Sequence, residues 1–162
     1  MLKKKVLDEN HTLLFSTHFP YVAKSKGGYK VLLGIGGNVG DTLRRFEHLF
    51  WYFERSKFVH IVESSVILKN PAFGYTEQED FYNALLLVET KLRPKSLLRY
   101  VLAVEKIFGR KRSFQDAPRT LDIDIIFYEN RMMETKDLTL PHPRWMKRSS
   151  VLIPLSTMKN RI

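Results

Sequence analysis

The chain has 162 residues, 44% of them hydrophobic, and 27 Lys and Arg against 17 Asp and Glu give a net charge of +10. That balance suits one globular domain with a substantial core and an anionic partner, for which nucleic acid, a membrane surface and a nucleotide all qualify. The absence of cysteine excludes a disulfide framework or thiolate metal site and fits a reducing, cytoplasmic setting, and no apolar run approaches the roughly 20 residues of a membrane span.

Residues 1–29 carry Lys3, Lys4 and Lys5, scattered aromatics and the run Lys24-Ser25-Lys26-Gly27-Gly28, with no clean periodicity. They read as a basic N-terminal extension, loosely docked and dispensable for activity, with a nucleic-acid arm or an oligomer contact as alternatives. A single domain then spans 30–162. Val31 to Gly36 is a buried strand that turns at Gly36-Gly37-Asn38-Val39-Gly40-Asp41 into a helix. Its glycines lack the GxGxxG spacing and no Gly-Lys-Ser/Thr follows, so neither a dinucleotide fingerprint nor a P-loop is present. Asp41 suits an N-cap, and Leu43, Phe46, Phe50 and Phe53 mark one apolar helix face. Residues 57–68 read as a second strand, 69–80 as a long polar loop of the kind that carries function, and 81–89 as a third strand. On that strand Phe81, Asn83, Leu85 and Leu87 share a face, which sets an aromatic beside a carboxamide. Pro94 opens a second helix that runs to Phe108 and stops at Gly109.

The stretch that follows carries the chemistry. In 121–127, Leu121, Ile123, Ile125 and Phe127 fall on one side of a period-2 strand, and Asp122 and Asp124 share the other. Paired carboxylates invite a hard cation such as Mg²⁺, and Arg110, Lys111, Arg112 and Arg119 just upstream supply groups for phosphate oxygens. Carboxylates for a metal and guanidiniums for phosphates are what phosphoryl-type transfer needs; an exposed strand edge beside a solvated basic loop is the alternative reading of this stretch taken alone. Residues 129–131 read as a turn, 132–136 as a short return strand, 143–148 as a short helical or irregular piece, and 151–155 as an apolar segment closing the sheet edge or core.

Gly109-Arg110-Lys111-Arg112, Pro118-Arg119-Thr120-Leu121-Asp122-Ile123-Asp124 and Leu140-Pro141-His142-Pro143-Arg144 closely resemble the 6-hydroxymethyl-7,8-dihydropterin pyrophosphokinase family, as do the Gly-Asn turn and the segment 74–84. The resemblance covers about 30–158, with five motifs in the family's order. It implies an α+β ferredoxin-like sandwich, with an antiparallel sheet covered by helices on one face and long active-site loops on the other. It implies Mg-dependent transfer of pyrophosphate from ATP to the pterin hydroxymethyl, leaving AMP, by a monomer with no membrane or nucleic-acid partner. Carried over residue by residue, Asp122 and Asp124 would hold two Mg²⁺ ions, and Arg110 and Arg119 would clamp phosphates. Glu105, Arg110, Arg112, Ile125, His142 and Arg148 would contact ATP. Asn70, Pro71, Ala72, Phe73, Gly74, Phe81, Asn83 and Asp122 would contact the pterin. Relatives stack a second aromatic two residues past the position of Arg148, where this chain has Ser150, so that face of the pterin would be left open or taken by Trp145, Phe114 or Phe73. Leu102 stands where relatives place a polar residue near adenine. A basic ferredoxin-like RNA-binding domain is the rival, but it would need a Lys/Arg-Gly-Phe/Tyr-Gly/Ala-Phe run that is absent here. A non-catalytic nucleotide-binding relative is the other alternative.

Overall fold

The computed structural model describes residues 3–71, 79–109 and 120–160. In chain order the elements are β1 (Lys3–Val6), β2 (Thr12–Phe15), β3 (Tyr21–Val22), β4 (Tyr29–Gly37), α1 (Thr42–Arg55), β5 (Val59–Ser64) and β6 (Ile67–Asn70). There follow β7 (Phe81–Thr90), α2 (Pro94–Ile107), β8 (Asp122–Tyr128), β9 (Met133–Glu134), β10 (Thr139–Leu140) and α3 (Ser149–Ser156).

Alternation along β4 sets the two faces of the sheet. Val31, Leu33 and Ile35 join a core with Phe46, Leu49, Phe50 and Phe53 of α1 and Leu97, Val101 and Val104 of α2. Leu32 belongs to a second cluster on the opposite face. β4 pairs antiparallel with β7 on one side and β8 on the other, and β5 pairs antiparallel with β7. The order β5-β7-β4-β8, with α1 and α2 on one face, is the ferredoxin-like frame expected from the pattern. Helix boundaries follow local chemistry: Asp41 accepts from the Arg44 N–H at 3.1 Å, Pro94 opens α2, and Gly109 at φ +83° ends it.

The segment before residue 29 is part of this frame, which corrects the expectation of loose docking. β1 pairs with β2, β2 with β6, and β3 with β5, all antiparallel. Leu14 and Phe19 enter the helix-side core, and Leu13 packs with Val66 and Leu68. The Phe19 ring, fully buried, lies 5.9 Å from Phe46 and 6.5 Å from Phe50. Strands of two to four residues are too short for their period to register, and Leu13 and Leu14 bury consecutive positions, so no alternation marks them.

Glu89 ties the next stretch down. Its carboxylate accepts from Ser25 Oγ and from the Lys26 N–H at 2.8 Å. Burial alone would raise its pKa, but the donors of Ser25, Lys26 and Gly27 outweigh that and hold it below the ordinary glutamate range. A depressed carboxylate contributes stability that is fully present above the unfolded-state value and lost as pH falls through the folded one. Glu89→Gln is therefore expected to lower stability at pH 7 by about 1–3 kcal/mol and to flatten the acid limb of the melting-temperature profile between neutral pH and pH 3.

Three further elements depart from expectation. The stretch 57–68 forms two strands, β5 and β6, which pair with different parts of β7. Between them Ser65 donates its N–H to the Leu85 carbonyl at 2.9 Å and accepts the Leu85 N–H on Oγ at 2.8 Å, so a side chain substitutes for a missing ladder bond. β9 pairs with β10 rather than returning along β8. The apolar segment near 151–155 closes the core as expected, but does so as a helix, α3, lying on the face opposite α1 and α2. Its Val151, with Met158 just beyond the helix, buries against Leu32, Val62, Leu85, Leu87 and Ile126. Glu63 secures the chain after it, accepting the Lys159 N–H at 2.6 Å and the Asn160 N–H at 2.9 Å. The second face is thus half closed by α3, and the open half is a cavity.

Candidate functional site

Glycine makes that cavity possible. On β4, Gly34 and Gly36 occupy the second face, where side chains would fill the space over the sheet. A Cβ on Gly36 would lie 2.7 Å from Asn83 Oδ1, closer than real Cβ atoms approach. The resulting hollow is about 400 Å³ and is lined by Gly34, Gly36, Asn70, Phe81, Asn83, Asp122, Asp124, Ile126, Lys147, Arg148, Ser150 and Val151, among others. Strands β4, β6, β7 and β8 supply its floor and α3 one wall. Phe81 is the one aromatic among the described lining residues. Trp145 does not line the hollow: its ring packs edge-on against Phe127 at 4.8 Å, so of the three aromatics proposed to replace the missing stack it is eliminated. Phe73 and Phe114 lie outside the described residues.

Beyond β8 lies a second cavity of about 720 Å³, lined by Lys95, Leu98, Arg99, Leu102, Ile123, Asp124, Ile125, Lys136, Leu138 and His142, among others. Apolar groups from α2 and β8 form its floor and cations stand at its margin. Asp124 lines both cavities, and it is exposed, whereas Asp122 is half-buried and faces the first.

The strand that carries these carboxylates is held from three directions. Glu105, expected at the nucleotide, is buried under β8, where its Oε2 accepts the Ile123 N–H at 2.6 Å. Arg45 donates to the carbonyls of Val39 at 2.6 Å and Thr120 at 3.0 Å, which joins the glycine turn to the start of β8. The His142 N–H donates to the Ile126 carbonyl at 2.8 Å. The His142 imidazole has its pKa lowered by burial, with the nearby Arg148 and Arg144 charges acting the same way and Asp124 opposing them. At the first cavity, Asn83 donates to Asn70 Oδ1 at 3.1 Å.

Of the residues singled out from sequence, Asn70, Phe81, Asn83, Asp122, Asp124 and Arg148 gather at the first cavity, and Ile125, His142 and Asp124 at the second. Pro71 follows Asn70 directly. Ala72, Phe73, Gly74, Arg110, Arg112 and Arg119 lie outside the described residues. Sequence reasoning missed Gly36, whose signal was present: a glycine inside a buried strand marks a close approach. Ser150, which the resemblance set beside the pterin, does line the cavity, but its neighbours Ser149 and Val151 were missed, because an eight-residue apolar helix containing Pro154 has no recognisable face.

Two carboxylates on one strand face suit Mg²⁺, which is bound by one or two protein carboxylates and completes its shell with phosphate oxygens and water. No group of three or more His, Cys, Asp or Glu able to hold a metal occurs among the described residues, so an all-protein cage of the calcium or zinc kind is not formed there.

Comparison with known proteins gives a consistent result. The family profile of 7,8-dihydro-6-hydroxymethylpterin-pyrophosphokinase matches residues 32–160. The 2-amino-4-hydroxy-6-hydroxymethyldihydropteridine pyrophosphokinase of Helicobacter pylori is 42% identical over 148 residues, covering 89% of this chain and 91% of its own. The proteins of the same name from Campylobacter jejuni and Aquifex aeolicus are 37% and 38% identical, over 86% and 77% of this chain and 90% and 77% of theirs.

Proposed function

The chain belongs to the 7,8-dihydro-6-hydroxymethylpterin-pyrophosphokinase family, and from that premise we propose how its two cavities divide the reaction. The activity is the transfer of pyrophosphate from ATP to 6-hydroxymethyl-7,8-dihydropterin in folate biosynthesis. The pterin hydroxyl oxygen bonds to the β-phosphorus, the bond from that phosphorus to the α–β bridging oxygen breaks, and AMP departs with that oxygen while the hydroxyl proton passes to water.

The first cavity takes the pterin. Phe81 offers a ring face and the Asn83 carboxamide a donor and an acceptor for the heterocycle edge. The second cavity takes the nucleotide, with Leu98 and Leu102 against the apolar part and Ile125 beside it. Because Leu102 is apolar, the base is gripped there by packing rather than by a side-chain hydrogen bond. His142 and Arg148, with Arg110, Arg112 and Arg119, serve the phosphates. The observation that carries this division is that Asp124 lines both cavities, so a group shared by the two substrates meets a carboxylate from each side.

Asp122 and Asp124 would hold Mg²⁺, two ions in all, which when bound neutralise phosphate charge and make the alcohol a better nucleophile. The protein's own part is placement. β8, pinned by Glu105 and Arg45, keeps the carboxylates in place, and α3 walls the pterin cavity. Glu105 serves the site through β8, whose Ile123 N–H it accepts. Positioning and fixed charge supply most of the barrier reduction.

Gly36→Ala tests the pterin assignment. The added methyl would displace the Asn83 oxygen, the end of a movable side chain, so the fold is expected to survive with little change in melting temperature. Pterin affinity should fall by about 10-fold or more, the scale of one lost hydrogen bond in a closed site, while affinity for Mg·ATP analogue holds. Unchanged pterin affinity would remove Asn83 from the binding edge.

A further inference from the structure

Asn70 and Asn83 form a directed relay in the wall of the first cavity. Asn70 Nδ2 donates to the Pro71 carbonyl at 3.0 Å, and Asn83 Nδ2 donates to Asn70 Oδ1 at 3.1 Å. The sense of this relay follows from its end. A backbone carbonyl only accepts, so Asn70 has to turn its NH₂ toward Pro71 and its oxygen toward Asn83. Asn83 then has to present an N–H to that oxygen, because the reverse would set two acceptors face to face. Asn70 is 5% exposed, so water does not readily stand in for its amide. The Asn83 oxygen rests over the bare Cα of Gly36, where a Cβ would meet it at 2.7 Å.

We propose that Asn70 is a positioning residue that fixes the direction of the Asn83 carboxamide, and so makes the cavity selective for a 2-amino-4-oxo heterocycle over its 2,4-diamino counterpart. The proposal rests on the reading of this cavity as the pterin site. With one N–H committed to Asn70, the Asn83 amide retains its oxygen and one N–H in a fixed order. A 4-oxo ring presents an N–H beside a carbonyl, donor then acceptor. A 4-amino ring presents a bare ring nitrogen beside an NH₂, the opposite order. An amide held one way matches only the first, whereas an amide free to turn over matches either.

The test is calorimetric binding of 6-hydroxymethyl-7,8-dihydropterin and of the corresponding 2,4-diaminopteridine to the full chain, with Mg²⁺ and a non-hydrolysable ATP analogue present. Wild type, Asn70→Ala, Asn70→Leu and Asn70→Asp are compared. Leu fills the volume of Asn without a polar atom, so it serves if the smaller side chain unsettles the fold. The preference for the oxo ring is expected to fall about 10-fold in the Ala and Leu variants, with affinity for the ATP analogue unchanged. Asn70→Asp still accepts from Asn83 and should keep the preference to within about 3-fold. An unchanged ratio in the Ala and Leu variants, or an equal loss for both heterocycles, overturns the proposal by making Asn70 plain wall. Wild type that binds neither heterocycle would overturn the pterin reading itself, and the proposal with it.

Discussion

Asp124→Asn is expected to reduce AMP release at saturating Mg²⁺ by at least ~10²-fold, the scale for removing one preorganised electrostatic partner from a reacting centre. Asn keeps the size of Asp and the strand geometry of β8. Position 124 is exposed at the junction of the two cavities rather than packed in the core. The cost in folding stability should therefore be about 1 kcal/mol or less. If Asp124 were hydrogen-bonded scaffolding, the pattern would invert, with a lower melting temperature and near-normal turnover per folded molecule. Melting temperature measured without metal, beside the rate of AMP release, separates the two.

Removal of residues 1–28 is expected to leave no soluble folded protein. Leu13, Leu14 and Phe19 are buried, and burying each contributes about 1.5–3 kcal/mol. Together that is of the order of the whole stability of an ordinary domain, about 5–15 kcal/mol. Deletion would also strip β6 of its partner β2, leaving an unpaired edge next to exposed apolar surface. The measurement is expression, solubility and circular dichroism of a chain beginning at Tyr29. A soluble truncated protein with normal turnover would show that these strands decorate the domain without supporting it.

What the sequence made legible has a physical pattern. The ferredoxin-like frame could be read because β4, β7, β8, α1 and α2 are long enough for a two-residue or 3.6-residue period to repeat, and because Asp41, Pro94 and Gly109 punctuate them. Asp122 and Asp124 could be placed on one face because alternation leaves no choice once Ile123 and Ile125 are buried. Short elements escaped. β1, β2 and β3 run for two to four residues, and β2 and β3 are held by pairing with β6 and β5 far along the chain, which no local pattern encodes. The break at Ser65 depends on one hydroxyl meeting the Leu85 backbone, and α3 is apolar on too many sides to announce a face. Of the candidate site, Asn70, Phe81, Asn83, Asp122, Asp124 and Arg148 could be named one by one and do line one cavity, but the shape of that cavity was not legible. The absence of a side chain at Gly36 and the relay from Asn83 through Asn70 arise only when β4, β6 and β7 lie side by side. Likewise, Trp145 offered itself as a stacking partner by nearness in sequence, yet Phe127 claims its ring.

We propose that Asp122, which faces the first cavity, and Asp124, which lines both, couple nucleotide binding to Mg²⁺. This coupling is tested most directly by titrating a non-hydrolysable ATP analogue into wild type and into Asp122→Asn/Asp124→Asn by calorimetry, across a range of Mg²⁺ concentrations. Wild-type affinity should rise steeply with Mg²⁺, and the double variant should bind weakly with little metal dependence. A double variant that folds normally and retains the wild-type Mg²⁺ dependence would contradict the claim.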